Sequence, residues 1–226
     1  MEFHVYNSQR EFVSETIEYV EWLATQAAGM FCVGLSGGRT PIPLYTALAQ
    51  SKMLDFSLTT FFLVDERYVP IDHAESNYKM IHETLGRNER AQIVHFDTLL
   101  PLQQSVALFS KEFVDRAGGV LDVAILGIGK DGHIASLFPY DEALHNTAEH
   151  EYVLHTINPS VPNPPVRDRL SLSMQAIMKS RHILLIANKN KTDAIEALLH
   201  SNKTATELPA KKLLEHDHLR IHFVEN

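Results

Sequence analysis

Cysteine is almost missing from this sequence: Cys32 is the only one in 226 residues. That excludes an intrachain disulfide and any metal site built from several thiolates, and the apolar neighbours of Cys32 point to a core thiol. Basic clusters are missing as well. The chain has 20 Lys and Arg against 28 Asp and Glu, a formal charge of −8, whereas binding to a phosphate backbone relies on clustered cations. No nucleic-acid partner is expected. An anionic small molecule stays compatible, because a few basic residues and helix N-termini can hold it locally. No apolar run approaches the roughly 20 residues that span a bilayer, and no basic region followed by an apolar stretch opens the chain. No membrane partner is therefore expected, and the cytoplasm is the default compartment. The histidines form no H-E-x-x-H pair, since His150-Glu151 with His155 is one residue too long; no metal is expected. A G-x-x-x-x-G-K-[ST] loop is also lacking, which removes the usual nucleoside triphosphate cradle.

What is present is an ordinary globular composition, 45% apolar, without repeat, low-complexity segment or linker. One domain over residues 1–226 is expected. The organising stretch is Leu121 to Pro139, LDVAILGIGKDGHIASLFP. Leu121 to Leu126 reads as a buried strand ending in Gly127-Ile128-Gly129, and the next residues put Asp131 and His133 where a strand should hand over to a helix. In open α/β sheets ligands bind outside the carboxyl ends of strands.

Earlier in the chain, Ser8 with Glu11 fits a capping box for a helix whose apolar face would carry Val13, Ile17, Val20, Ala24 and Ala27. Met30 to Leu35 reads as a strand leading into Ser36-Gly37-Gly38-Arg39-Thr40-Pro41, with Thr40 as N-cap and Pro41 as first residue of the next helix. Phe61 to Val64 is a second strand, stopping at Asp65-Glu66-Arg67, with a helix expected from about Glu75 to Leu85. Ile93 to Phe96 and a helix through Val106, Phe109, Phe113 and Ala117 lead into the central strand. Tyr152 to Ile157, Leu170 to Ser173, His182 to Ala187 and Leu219 to Val224 read as later strands. The proline-rich loop Pro159 to Pro165 interrupts this series, and a helix runs from about Lys191 to Leu199. The expectation is an α/β fold, a doubly wound and largely parallel sheet with helices on both faces.

Three loops carry possible chemistry. Ser36 to Thr40 is either a tight turn or a phosphate cradle in which glycines let backbone N–H groups approach the ligand. Gly127 to Gly132 matches G-x-G-x-x-G, but past mid-chain and with His133 directly behind it. It is a weak dinucleotide signal, so no cofactor is expected. It reads as a plain turn, or as a site in which Asp131 holds His133, whose ordinary pKa of roughly 6.5 suits proton transfer. Asp65-Glu66-Arg67 is a solvated turn or a site edge, where Arg67 would grip a phosphate or carboxylate bidentately.

Taken together, GLSGGRTPIPLY (Gly34 to Tyr45), VDERYVPIDHAESNY (Val64 to Tyr78) and LGIGKDGHIASLFP (Leu126 to Pro139) resemble the 6-phosphogluconolactonase family, which is related to glucosamine-6-phosphate deaminase. The resemblance implies a deaminase-like α/β fold and metal-independent hydrolysis of 6-phospho-D-glucono-1,5-lactone, a small phosphosugar lactone of the pentose phosphate pathway. It implies that His133 activates water, that Asp131 orients it, and that Ser36, Gly37, Gly38, Arg39, Thr40 and Arg67 hold the 6-phosphate. Arg169, after the proline-rich loop, resembles a family arginine that would serve catalysis. Either it or backbone N–H groups would stabilise the oxyanion. Lys191 resembles a basic residue before a late helix, although Lys189-Asn190-Lys191 stands where Gly-Glu-Lys is more usual. The related deaminases have a loop like DGHIAFNEP, with a glutamate five residues after the histidine. Here that position is Phe138, which favours hydrolysis over deamination; a non-catalytic sugar-phosphate sensor is the rival from another class. A monomer or small homo-oligomer is expected.

Overall fold

The structure, a computed structural model, describes residues 1–145, 151–162 and 166–225. His150 and residues 163–165 of the proline-rich loop lie outside that set. In chain order the elements are β1 (Glu2–Tyr6), α1 (Gln9–Gln26), β2 (Phe31–Leu35), α2 (Ile42–Leu48), β3 (Thr59–Leu63), β4 (Asp65–Arg67), α3 (Asn77–Thr84) and β5 (Gln92–Val94). They continue as α4 (Leu102–Ala117), β6 (Val123–Leu126), β7 (Val153–Ile157), β8 (Asp168–Leu172), α5 (Met174–Met178), β9 (His182–Asn188), α6 (Thr192–His200) and β10 (Leu219–Val224).

Seven strands form a parallel sheet in the order β1-β10-β9-β6-β2-β3-β5. The chain winds outward from β2 through β3 to β5, then returns and winds the other way from β6. The strand order therefore reverses between β2 and β6, the place where an open α/β sheet leaves a crevice. Both faces are covered. Adjacent strand residues point to opposite sides, and Phe62 meets Phe109 and Phe113 of α4 with ring centroids 6.4 and 5.5 Å away. On the opposite face Thr16 of α1 lies 2.9 Å from the His222 ring of β10. Cys32 is a free thiol buried in the core, its Sγ donating to Arg116 O at 3.8 Å, and burial pushes it up to about 11.

Several details differ from the sequence reading. The Ser8 cap is present, accepting from Glu11 N at 3.2 Å. The buried face of α1, however, is Phe12, Thr16, Tyr19, Val20 and Leu23, with Val13, Ile17, Ala24 and Ala27 only partly buried. The aromatic rings and Leu23 offer more apolar area than the smaller side chains and so turn the helix towards themselves. Thr40 is not an N-cap: α2 starts at Ile42, Pro41 takes the cap position, and no side chain caps it. Among the described residues no α-helix lies between β6 and β7, and directly after β6 the chain makes a turn, with Gly129 N donating to His133 O at 2.8 Å and Gly132 at φ 84°. Asp65-Glu66-Arg67 is a strand rather than a turn. It pairs antiparallel with β8, which pairs antiparallel with β7, so the strands expected near 152–157 and 170–173 form a second, three-stranded sheet. The chain passes from one sheet to the other at Val64, whose N–H donates to Leu35 O at 3.0 Å and whose carbonyl accepts from Leu172 N at 2.8 Å.

Candidate functional site

Because the strands of the large sheet are parallel, their carboxyl ends lie along one edge, and the three expected loops meet there. Ser36 to Pro41 follows β2, Asp65 and Arg67 follow β3, Gly127 to Ala135 follows β6, and Asn188 to Lys191 ends β9. They enclose a cavity of about 390 Å³, a volume suited to a small ligand. Ser36, Gly37, Gly38, Arg39, Thr40, Arg67, His133 and Lys191 all line it. Asp131 stands behind His133. Arg169 is not among the lining residues. It is the register partner of Arg67 across the β4–β8 ladder, it is buried, and its guanidinium donates to the Val166 carbonyl. Burial pushes Arg169 down to about 10, and the neighbouring Arg67 cation adds to this.

The His133 ring is fixed from three sides. Its Nδ1 lies 2.6 Å from Asp131 Oδ1, a distance at which Nδ1 carries the proton and donates, leaving Nε2 as the basic atom. The Phe138 ring packs against it at 4.9 Å between centroids. Gly129 runs beneath, where a Cβ would fall 2.1 Å from Nδ1 and 2.5 Å from the Asp131 carboxylate; only glycine lets the pair lie over this turn. For Asp131, burial pushes the carboxyl up, but the hydrogen bond from His133 and its charge outweigh that and leave the pKa lowered. Ala135, also in the cavity wall, has φ 49°, an uncommon conformation for a residue with a side chain. It is held by its neighbours. Ser136 Oγ donates to Asp65 Oδ2 at 2.7 Å, Ser136 N to Ser171 Oγ at 3.2 Å, and Thr156 Oγ1 to Ser136 O at 2.6 Å.

The opposite wall is polar and cationic. Gly38 at φ 96° turns the 36–40 loop, and among the described residues the buried Ser36 hydroxyl has no hydrogen-bond partner, so it is a spare donor facing the cavity. Thr40 Oγ1 accepts from Asn188 Nδ2 at 3.3 Å, which ties this loop to the end of β9. Lys191 comes just before α6, as expected. Burial lowers its pKa, and the Asp131 charge works the other way. The wall also includes Asp65, Asn77 and Asn188, which the sequence reading did not assign. Asp65 stood beside Arg67 in the same motif and was within reach of it. Asn77 also stood in that motif, whereas Asn188 carries no local signal, because its place depends on the end of β9 reaching the cavity. Among the described residues no group of three or more His, Cys, Asp or Glu side chains could hold a metal ion. No helix there is long and apolar enough to cross a membrane.

The family model described as glucosamine-6-phosphate isomerases/6-phosphogluconolactonase matches residues 7–222. A 6-phosphogluconolactonase of Thermotoga maritima is 36% identical over 207 residues, covering 88% of this chain and 87% of its own. One of Pseudomonas putida is 35% identical over 206 residues, with 88% and 82% covered. The crystal structure of a Thermotoga maritima 6-phosphogluconolactonase superposes with a TM-score of 0.82 at 29% identity, covering 100% of this chain and 99% of that one.

Proposed function

The chain belongs to the family of glucosamine-6-phosphate isomerases and 6-phosphogluconolactonases, and we propose that it hydrolyses 6-phospho-D-glucono-1,5-lactone to 6-phosphogluconate with His133 as general base and without a metal. Its relatives support lactonase activity in the pentose phosphate pathway. The observation that carries the mechanism is the His133–Asp131 pair at 2.6 Å, set in the wall of a cavity whose other side presents Arg67, Lys191 and the 36–40 loop.

The substrate phosphate, with about −1.5 to −2 charges at neutral pH, anchors against Arg39, Arg67, Lys191 and the loop of Ser36, Gly37, Gly38 and Thr40. Asp131 holds His133 in the tautomer with Nε2 free. Nε2 takes a proton from water as the water oxygen adds to the lactone carbonyl. Collapse of the tetrahedral intermediate breaks the bond from the carbonyl carbon to the ring oxygen, which takes the proton back from His133. Positioned proton transfer of this kind contributes roughly 10²–10⁴-fold. Arg169 enters as positive potential behind Arg67, while backbone N–H groups at the turns stabilise the oxyanion. The residue five positions after His133 is Phe138, whose ring packs against the imidazole, and not a glutamate, which supports hydrolysis over the amino-sugar reaction of the family's other branch.

The test is hydrolysis of freshly generated lactone, corrected for spontaneous opening, with and without chelator, alongside ammonia release from glucosamine 6-phosphate. Chelator-insensitive hydrolysis without ammonia is expected. Ammonia without lactone hydrolysis would overturn the reading in favour of deamination, and silence in both would favour a non-catalytic sensor.

A further inference from the structure

Glu66 lies between two cavity residues, Asp65 and Arg67, yet does not line the cavity; it is 1% exposed. Its carboxylate collects four donors. Oε1 accepts from Arg67 N and Asn77 N, both at 2.7 Å, and Oε2 from Tyr78 N at 2.7 Å and Ser76 Oγ at 3.0 Å. Burial raises its pKa, while the N–H donors pull the other way. The first turn of α3 has no acidic residue of its own, so the positive end of that helix is met by a carboxylate from a neighbouring strand.

The segment so held is a hub of the cationic wall. Arg67 donates through its guanidinium to the Glu75 carbonyl. Asn77 donates through Nδ2 to Asp65 O at 2.9 Å. Its amide also lies against Gly37, where a Cβ would sit 1.9 Å from Asn77 Oδ1. The start of α3 thus touches Arg67, Asp65 and the 36–40 loop together, and Glu66 fastens it.

We propose that Glu66 is a positioning residue for the phosphate end of the site, setting the substrate's grip through residues 75–78 without touching it. The proposal rests on the lactonase reading and assigns a role to a residue outside that mechanism. Glu66→Gln keeps the shape but turns an acceptor into a donor facing N–H groups. We expect KM for the phosphorylated lactone to rise about tenfold with kcat within about twofold. Hydrolysis of unphosphorylated glucono-1,5-lactone should be unchanged, and inorganic phosphate should bind about tenfold more weakly by calorimetry. Equal losses on both lactones, or unchanged phosphate binding, would overturn the proposal. If the wild type hydrolyses neither lactone, the lactonase reading fails, and phosphate binding by wild type and variant still decides the role of Glu66. If Glu66→Gln does not fold, Ser76→Ala, which removes one donor, should shift phosphate binding the same way by about twofold; no shift would overturn the role.

Discussion

In the large sheet, β2, β3 and β6 bury every residue, and the side chains between them and α4 are mostly rings and branched aliphatics. The small sheet begins with Asp65-Glu66-Arg67, and its joins to the segment that follows His133 run through Ser136, Ser171 and Thr156, all buried. Apolar burial is non-directional and scales with area, so it supplies stability and tolerates small displacements. Buried hydrogen bonds are directional and costly to leave unmade, so they fix where a charge sits. The cavity lies where the two meet, with most of its loops rooted in the first sheet and Asp65 and Arg67 brought in by the second.

Substitutions should separate these two roles. Phe62→Ala removes a ring from the contact with Phe109 and Phe113 and should cost about 3–5 kcal/mol in denaturant unfolding. KM of the remaining folded enzyme should stay near wild type. Ser136→Ala frees Asp65 Oδ2 from its donor and should cost less, about 1–3 kcal/mol, while changing kcat/KM. If Ser136→Ala altered stability alone, as Phe62→Ala should, the division between the sheets would break.

At pH 7 the smallest expected effect lies at the far edge of the large sheet, where a polar cluster sits away from the cavity and its contribution shows only on acidification. His222 is buried beside Tyr6, Thr16 and Tyr19. Burial, with His4 and Arg220 adding and Glu2 opposing, pushes its imidazole down to about 3. Unfolded histidine titrates near 6.5, so between these values the unfolded chain binds the extra proton. Stability is then full above about 6.5 and falls with pH below it, by up to about 1.4 kcal/mol per pH unit from this group. His222→Gln should flatten that part of the acid limb in unfolding measured from pH 7 to 4, with lactonase activity at pH 7 kept. An acid limb as steep as the wild type's would assign the loss to other groups.

The large sheet was legible for the same reason that it is stable. Its buried strands are continuous apolar runs such as Val123 to Leu126 and Ile183 to Ala187. β1 was not legible, because Phe3 and Val5 are exposed and the strand exists only by pairing with β10, more than 200 residues along the chain. β4 was not legible as a strand, and the triplet stayed open between a solvated turn and a site edge, because three consecutive charged residues carry no strand pattern and their partners Arg169, Leu170 and Ser171 lie about 100 residues further along the chain. In the site, the motif loops could be placed from local sequence, whereas Lys191 was placed only by the family resemblance. Arg169 could not: its neighbours in sequence do not reveal that the β4–β8 register sets it behind Arg67 rather than in the cavity wall.

The central claim is that an imidazole held by Asp131 activates water, and kcat of His133→Ala on freshly generated 6-phosphogluconolactone tests it most directly. The account predicts a fall of roughly 10²–10⁴-fold, with KM and melting temperature close to wild type. Turnover near the wild-type value in the folded variant would contradict it.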